Sequence, residues 1–154
     1  MTPDQFWHDY LATLPADHPA HTLPVPEASG FGDSPGLADE LGELIHLGTK
    51  TATCASLWEH EHDGSALPTV GLYEIVLDGR DQPLAITVLT EVTIRPYDEV
   101  DAAFAYDEGE GDRSLENWRE GHWRFFSRIH AAIGLEVSRT MPLVCQRFKV
   151  VYRR

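Results

Sequence analysis

Lys50 is the first residue whose type and surroundings could do chemistry, because it is the only basic side chain among residues 1–79. Its ammonium group is a compact charge with three donors, which suits a phosphate or a developing oxyanion. Burial can also lower the pKa of a lysine until it serves as a base. Thr53 follows three residues later, so a bend would bring its hydroxyl near the ammonium, where a base would have to activate it as a nucleophile. The alternative is a surface lysine near a helix C-terminus and a threonine chosen for its β propensity.

Three carboxylates alternate with glycines in the polar segment that precedes the longest predicted helix. They are Glu108, Glu110 and Asp112, and the intervening Gly109 and Gly111 let the backbone bend tightly. Such carboxylates can hold Mg²⁺ through oxygen ligands, or one of them can act as a general acid or base. The alternative is a solvated acidic turn, which favours the N-terminus of the following helix.

The longest predicted helix contributes four candidate ligand-binding residues. Trp118 and His122 lie on its apolar face, which follows alternating spacings of three and four residues. Arg124 and Ser127 are the other two candidates for contacts with a ligand. A histidine on an apolar face is more often a hydrogen-bonded core residue than a catalyst, so both interpretations of His122 stay open.

The remaining histidines and the cysteines predict no metal site. Segments 18–21 and 59–64 each hold two histidines without a convincing third ligand. Cys54 and Cys145 show neither a disulfide framework nor a metal-binding spacing. Both fall in strand-like segments, where we expect small buried thiols.

Local signals predict the elements that position these residues. Thr2 precedes Pro3, and Ser34 precedes the next proline, which are favourable helix starts, and Gly48 occupies the left-handed position that ends a helix. The patterns predict helices over 3–14, 35–47, 100–106 and 115–133, strands over 51–58, 70–77, 83–95 and 143–152, and loops over 15–33 and 59–64. Strands with few helices between them indicate an α+β fold with an antiparallel sheet, curled into a small barrel.

The composition is that of an ordinary globular domain, with 42% hydrophobic and 24% charged residues among 154. Neither a signal peptide nor an apolar run of membrane-spanning length is recognisable, so the sequence predicts a cytoplasmic protein without membrane contact. The net charge is −13, yet residues 113–154 hold nine basic and three acidic side chains. This basic end keeps nucleic acid among the candidate partners, the alternative being a solvated helix face.

Three stretches of the sequence together resemble the ASCH domain, a branch of the PUA-like barrels. The first is the motif Gly48-x-Lys50-x-x-Thr53 after an amphipathic helix, and the second is Phe31-Gly32-Asp33 before that helix. The third is the block over 105–126, which is similar to the acidic loop and helix of bacterial ASCH proteins about 150 residues long. The likeness extends over residues 31–152.

The resemblance implies a PUA-like small antiparallel β-barrel with flanking helices and a cleft for RNA or a nucleotide-like ligand. Residues 31–154 would form the ASCH domain, and residues 1–30 would add an N-terminal helix and a wrapping loop packed on it. Family members suggest catalytic roles for Lys50, Thr53 and Glu108. Ala55 departs from the family pattern, which often has an arginine there, and a substrate would lose a bidentate anchor.

The resemblance implies three alternative functions. The first is a hydrolase that acts on single-stranded RNA through a cleft containing Lys50 and Glu108, with Mg²⁺ as a candidate cofactor. The second is an amidohydrolase that removes the acetyl group of N4-acetylcytidine or a similar modified nucleoside and uses Thr53 as the nucleophile. The third is a module that binds RNA or a nucleotide without chemistry and grips phosphates with its helix arginines.

Overall fold

The computed structural model describes all 154 residues of the chain. Its helices are α1 (Pro3–Ala12), α2 (Pro35–His46), α3 (Leu57–Asp63), α4 (Ala102–Glu108) and α5 (Leu115–Ala132). Its strands are β1 (Ala28–Gly30), β2 (Ala52–Ser56), β3 (Tyr73–Leu77), β4 (Pro83–Pro96) and β5 (Pro142–Arg153). Short 3-10 turns cover Pro19–Thr22 and Tyr97–Glu99. None of the helices combines the length and the apolar composition that crossing a bilayer requires.

The strands form one five-stranded sheet in the order β1-β3-β4-β5-β2. The pairs β3/β4 and β2/β5 are antiparallel, whereas β1 runs parallel to β3. The predicted α+β class is therefore confirmed, and the sheet is a curled half-barrel of mixed strand direction rather than a purely antiparallel one. The parallel pair arises because a long connection, which includes α2, separates β1 from β3, as parallel neighbours require.

The predicted helix starts are confirmed by their caps. The side-chain oxygens of Thr2, Ser34 and Ser114 each accept a backbone N–H three residues further on, at 3.2, 3.1 and 3.1 Å. Each cap satisfies a backbone donor that the first helical turn leaves without a partner. Gly48 adopts φ +82°, the left-handed conformation predicted for the residue that ends the α2 segment.

Two predicted elements differ from the structure. Residues 57–63 form α3 rather than the end of a strand and a loop, because the Ser56 hydroxyl caps the Glu59 amide at 3.3 Å. Gly64 then ends this helix at φ +67°. The helix predicted over 100–106 is α4 and extends to Glu108, so Glu108 belongs to a helix and not to the acidic loop.

The chain forms two compact units, each with its own core. The first comprises Met1–Gly48, Gly71–Val88 and Lys149–Arg154. Its core combines aromatic residues of α1 with aliphatic residues of β3 and β4, and it consists of Phe6, Trp7, Tyr10, Ala20, Ile75, Leu77 and Ile86. Burial of each large side chain contributes about 1.5–3 kcal/mol. The domain boundary at residue 30 stays a prediction.

The second unit comprises Thr49–Val70 and Leu89–Phe148. Its core consists of Ala52, Tyr97, Val100, Phe104, Ala105, Trp118, Phe126, Met141, Leu143 and Cys145. These residues come from β2, α4, α5 and β5, from the segment between β4 and α4, and from the position just before β5. The second unit also contains Lys50 and the other candidate site residues, so its core supports the site.

Candidate functional site

A close backbone contact fixes the entry of the chain into β2 beside the end of α4. The Thr51 amide donates to the Asp107 carbonyl at 2.8 Å. Gly109 follows α4 at φ +72°, and a Cβ atom there would lie 2.6 Å from the Thr49 carbonyl oxygen. Only glycine fits such an approach in the left-handed conformation. Lys50 is thereby held against the last residue of α4.

The Lys50 ammonium is buried and fully hydrogen bonded. It donates to the Ala52 carbonyl at 2.9 Å, to Glu108 Oε1 at 3.1 Å and to Glu110 Oε2 at 3.0 Å. Only 1% of the side chain is exposed. Burial lowers the pKa of Lys50, but the charges of Glu108 and Glu110 raise it by more, so the pKa lies above its ordinary value. Lys50 is thus a fixed cation and not a base.

The Glu108 carboxylate is the centre of the cluster. Its Oε2 accepts hydrogen bonds from the Trp118 indole N–H and from His122 Nε2, the latter at 3.2 Å, and the Cys54 thiol lies 3.6 Å from it. Burial raises the pKa of Glu108, but the charges of Lys50 and His122 lower it by more, so the pKa lies below its ordinary value. Glu108 stays ionised and has no proton to give.

Both ring nitrogens of His122 face hydrogen-bond acceptors, which is the environment of a doubly protonated imidazole. Its Nδ1 lies 2.8 Å from the Trp118 carbonyl and its Nε2 lies 3.2 Å from the Glu108 carboxylate. Both partners only accept, so both nitrogens donate. Burial lowers the pKa of His122, and Glu108 with Glu110 raises it by more, so the pKa lies above its ordinary value. The ring stacks on Trp118 with centroids 4.2 Å apart.

Glu110 has the most exposed side chain of the charged residues that meet here. Its side chain is 29% exposed, whereas that of His122 is 13% exposed. The Glu110 Oε2 atom lies 3.0 Å from Lys50 Nζ and 4.0 Å from His122 Nε2. Lys50, His122, Glu108 and Glu110 therefore form a closed arrangement of two cations and two carboxylates. We call these four residues the ion cluster.

Four of the seven residues predicted for the site are brought together here: Lys50, Glu108, Trp118 and His122. Thr53 is not, because side chains alternate along β2 and Cys54, its neighbour, contacts Glu108. Thr53 thus projects to the opposite face of the strand.

The two remaining candidates on α5 also lie outside the ion cluster. The Ser127 hydroxyl donates to the Trp123 carbonyl at 2.6 Å within the helix. Arg124 is exposed and lines a separate groove. The proposed roles of Thr53, Arg124 and Ser127 stay predictions.

Sequence reasoning missed two polar features of this unit. Cys54 was expected to be only a buried thiol, yet it lies beside Glu108, and burial together with the Glu108 charge raises its pKa well above its ordinary value. His130 Nε2 lies 2.6 Å from the Ser56 hydroxyl, and both residues are completely buried. The sequence signal that could have revealed them is the alternation of residues 52, 54 and 56, which puts Cys54 and Ser56 on one face of β2.

The ion cluster, taken together with the neighbouring Cys54, does not fit Mg²⁺. Ligand atoms of Cys54, Glu108 and His122 lie within 4.8 Å of one another. This set includes sulfur and nitrogen, whereas Mg²⁺ requires oxygen ligands in octahedral geometry. The Lys50 ammonium also binds the carboxylates that would have to coordinate the ion. The Mg²⁺ considered from the sequence therefore has no donor set among these residues.

The fold is that of a small α+β half-barrel domain of the PUA-like kind. The family model of the ASCH domain matches residues 27–152, and the chain belongs to the ASCH domain family. Membership confirms the resemblance seen in the sequence. Among curated proteins, none matches the chain.

Two crystal structures are close matches. An ASCH domain from Lactobacillus crispatus JV V101 has a TM-score of 0.92 and 32% sequence identity, over 98% of this chain and 94% of that one. A protein from Enterococcus faecalis V583 has a TM-score of 0.84 and 39% identity, over 96% of this chain and 86% of that one.

Proposed function

We propose that this ASCH protein binds RNA and cleaves single-stranded RNA at the ion cluster. One observation carries the proposal: the Glu110 carboxylate and the doubly protonated His122 ring lie 4.0 Å apart beside the Lys50 ammonium. A carboxylate can accept a proton and an imidazolium can give one, while a fixed cation stabilises the charge of a phosphoryl transition state. Both Glu110 and His122 are partly exposed, so a substrate can reach them.

Charge balance explains how a phosphate would enter. Without the Glu110 carboxylate, the cluster holds the charges of Lys50, His122 and Glu108, which sum to one positive charge. One phosphodiester carries one negative charge and can take the place of Glu110 on Lys50. Gly109 and Gly111 flank Glu110 at φ +72° and +58°, so the exchange requires only local movement of a short loop.

The reaction proceeds by attack of the 2′-hydroxyl of the substrate on the adjacent phosphorus. The displaced Glu110 carboxylate takes the 2′-hydroxyl proton as the new P–O bond forms, and the P–O5′ bond breaks. His122 Nε2 gives its proton to the leaving 5′-oxygen, and the products are a 2′,3′-cyclic phosphate and a 5′-hydroxyl. Glu108 holds Lys50 and His122 in place and transfers no proton.

The placement of Thr53 favours RNA cleavage over the amidohydrolase alternative. Removal of an acetyl group from N4-acetylcytidine would need the Thr53 hydroxyl near Lys50, and Thr53 lies on the other face of β2. Lys50 is also held as an ammonium and cannot take the hydroxyl proton. RNA cleavage through the 2′-hydroxyl needs no nucleophile from the protein.

The non-catalytic alternative is favoured by one observation, the 1% exposure of Lys50 and Glu108. Such burial is equally suited to a cluster that only stabilises the fold beneath a binding surface. In that case the protein binds single-stranded RNA with an affinity that falls with salt, and no product forms.

The experiment compares a short unstructured RNA with DNA of the same sequence, each labelled at its 5′ end. We expect the wild-type protein to cut the RNA, to leave a 2′,3′-cyclic phosphate and to spare the DNA, with or without EDTA. Glu110→Gln keeps the shape of the side chain and should slow cleavage by roughly 10²–10⁴-fold. Glu116→Gln, an exposed change in the first turn of α5, is the matched control and should leave the rate unchanged.

Cleavage at an equal rate by Glu110→Gln, or cutting of the DNA, would refute the proposal. RNA that binds without being cut would establish the binding module instead. Release of cytidine from N4-acetylcytidine, lost in Thr53→Val, would establish the amidohydrolase.

A further inference from the structure

A concave site lies beside α5, apart from the ion cluster. It is a groove of about 690 Å³ in the second unit. Its lining residues are Tyr97, Asp98, Arg119, Glu120, Trp123, Arg124 and Arg139. None of them belongs to the ion cluster. We call this site the arginine groove, and its volume falls within the range of ordinary small-ligand pockets.

The groove presents three guanidinium groups from two sides. Arg119 and Arg124 come from α5, and Arg139 comes from the segment before β5. All three residues are exposed, and none of the three forms an ion pair. A guanidinium is a planar fork of donors that matches phosphate oxygens. The two carboxylates in the lining leave an excess of one positive charge.

A rigid aromatic wall stands beside these arginines. The rings of Trp123 and Tyr97 lie 5.3 Å apart at 57°, and the Tyr97 hydroxyl donates to the Arg119 carbonyl at 2.6 Å. The hydroxyl bond and the ring contact fix the orientation of Tyr97, which in turn supports Trp123. An indole held in this way is a platform on which a base can stack.

We propose that the arginine groove binds one nucleotide of a single-stranded RNA, with its phosphate on the guanidinium groups and its base against Trp123. The inference rests on the proposed function for the choice of RNA, and it adds a second contact to the strand. An acidic peptide would satisfy the arginines but leave the aromatic wall without a partner. A nucleotide uses both.

The test measures binding of a short labelled RNA over a series of salt concentrations, in the Glu110→Gln background so that the RNA stays intact. Arg124→Ala combined with Arg139→Ala should weaken binding at least roughly tenfold. It should also reduce the slope of log affinity against log salt by about 0.7. Arg80→Ala removes an exposed arginine of the first unit and should bind as the parent does.

Trp123→Leu tests the stacking contact independently. It should weaken binding of the RNA by roughly tenfold, while binding of an abasic strand of the same length stays the same. Comparison of two ligands on one variant separates stacking from any change in stability. Equal loss for both ligands contradicts the proposed base contact.

Unchanged affinity and salt slope in the double arginine variant would overturn the proposal. Competition by an acidic peptide as strong as that by RNA would do the same, because the groove would then be a general anion site. If the wild-type protein binds RNA at the groove without cleaving it, the groove proposal stands and the proposed RNA cleavage is refuted. If the wild-type protein cleaves RNA but the arginine variants bind it unchanged, the proposed cleavage stands and the groove proposal is refuted.

Discussion

Replacement of Lys50 by methionine removes the buried charge but keeps most of the side-chain volume. Glu108, which is 1% exposed, then loses one of its two cationic partners. Breaking a buried ion pair costs about 3–5 kcal/mol. We expect the lower end, about 3 kcal/mol, because His122 and Trp118 still bind Glu108 and because Glu110 can turn toward water. For a chain of this length the corresponding loss in Tm is on the order of 10 °C.

Urea unfolding followed by far-UV circular dichroism measures this cost. Lys149→Met changes the other lysine of the chain, which is exposed, and should alter the free energy of unfolding by no more than about 0.5 kcal/mol. Lys50→Met combined with Glu108→Gln should be more stable than the sum of the single changes predicts, with a coupling of about 1–3 kcal/mol. Additive effects, or a cost of Lys50→Met no larger than that of the control, would refute the account of the ion cluster.

Three further changes test other parts of the structure. The pKa of His122 is raised in the folded protein, so protonation of this ring stabilises the fold fully below the ordinary pKa of 6.5, and the stabilisation is lost as pH rises through the folded pKa. Urea midpoints of the wild type should therefore fall over that pH window, and those of His122→Gln should stay level. Gly109→Ala should lower the free energy of unfolding by about 1–3 kcal/mol in thermal unfolding, because residue 109 is left-handed and its new Cβ would meet a backbone oxygen. The control Gly121→Ala lies within α5, where a Cβ meets nothing, and should raise that free energy by about 0.5–1 kcal/mol. Phe126→Ala, at 0% exposure in the second core, should cost about 3–5 kcal/mol in chemical denaturation, and a loss below 1 kcal/mol would contradict its place there.

Local chemistry made several elements predictable from the sequence. Thr2, Ser34 and Ser114 are helix caps, and a cap depends on residues three positions apart. Ser56 and Gly64 are likewise the N-cap and C-cap of α3. The β-branched and small residues of β2 nevertheless favoured the prediction of a strand that continues past Ser56. The strand β1 was not predicted, because three residues in a segment rich in proline and glycine carry too little periodicity to reveal a parallel partner.

The site was predictable only in part, since its contacts join distant residues. The isolated charge of Lys50 singled it out, and the family resemblance added Glu108, which lies 58 residues further along the chain. The face of β2 that carries Cys54 rather than Thr53 depends on packing against α4 and α5, which no local pattern specifies. The protonation of His122 depends on two acceptors fixed by the folded backbone.

The stacked pair of Trp118 and His122 gives the protein an optical reporter. A protonated imidazole in contact with an indole quenches its fluorescence by electron transfer, and a neutral one does so far less. While His122 is protonated, Trp118 should therefore be dark, so that the emission of the folded protein comes from the other three of its four tryptophans. Any event that takes the proton from His122, including its delivery to a leaving group, should make the protein brighter without an added dye.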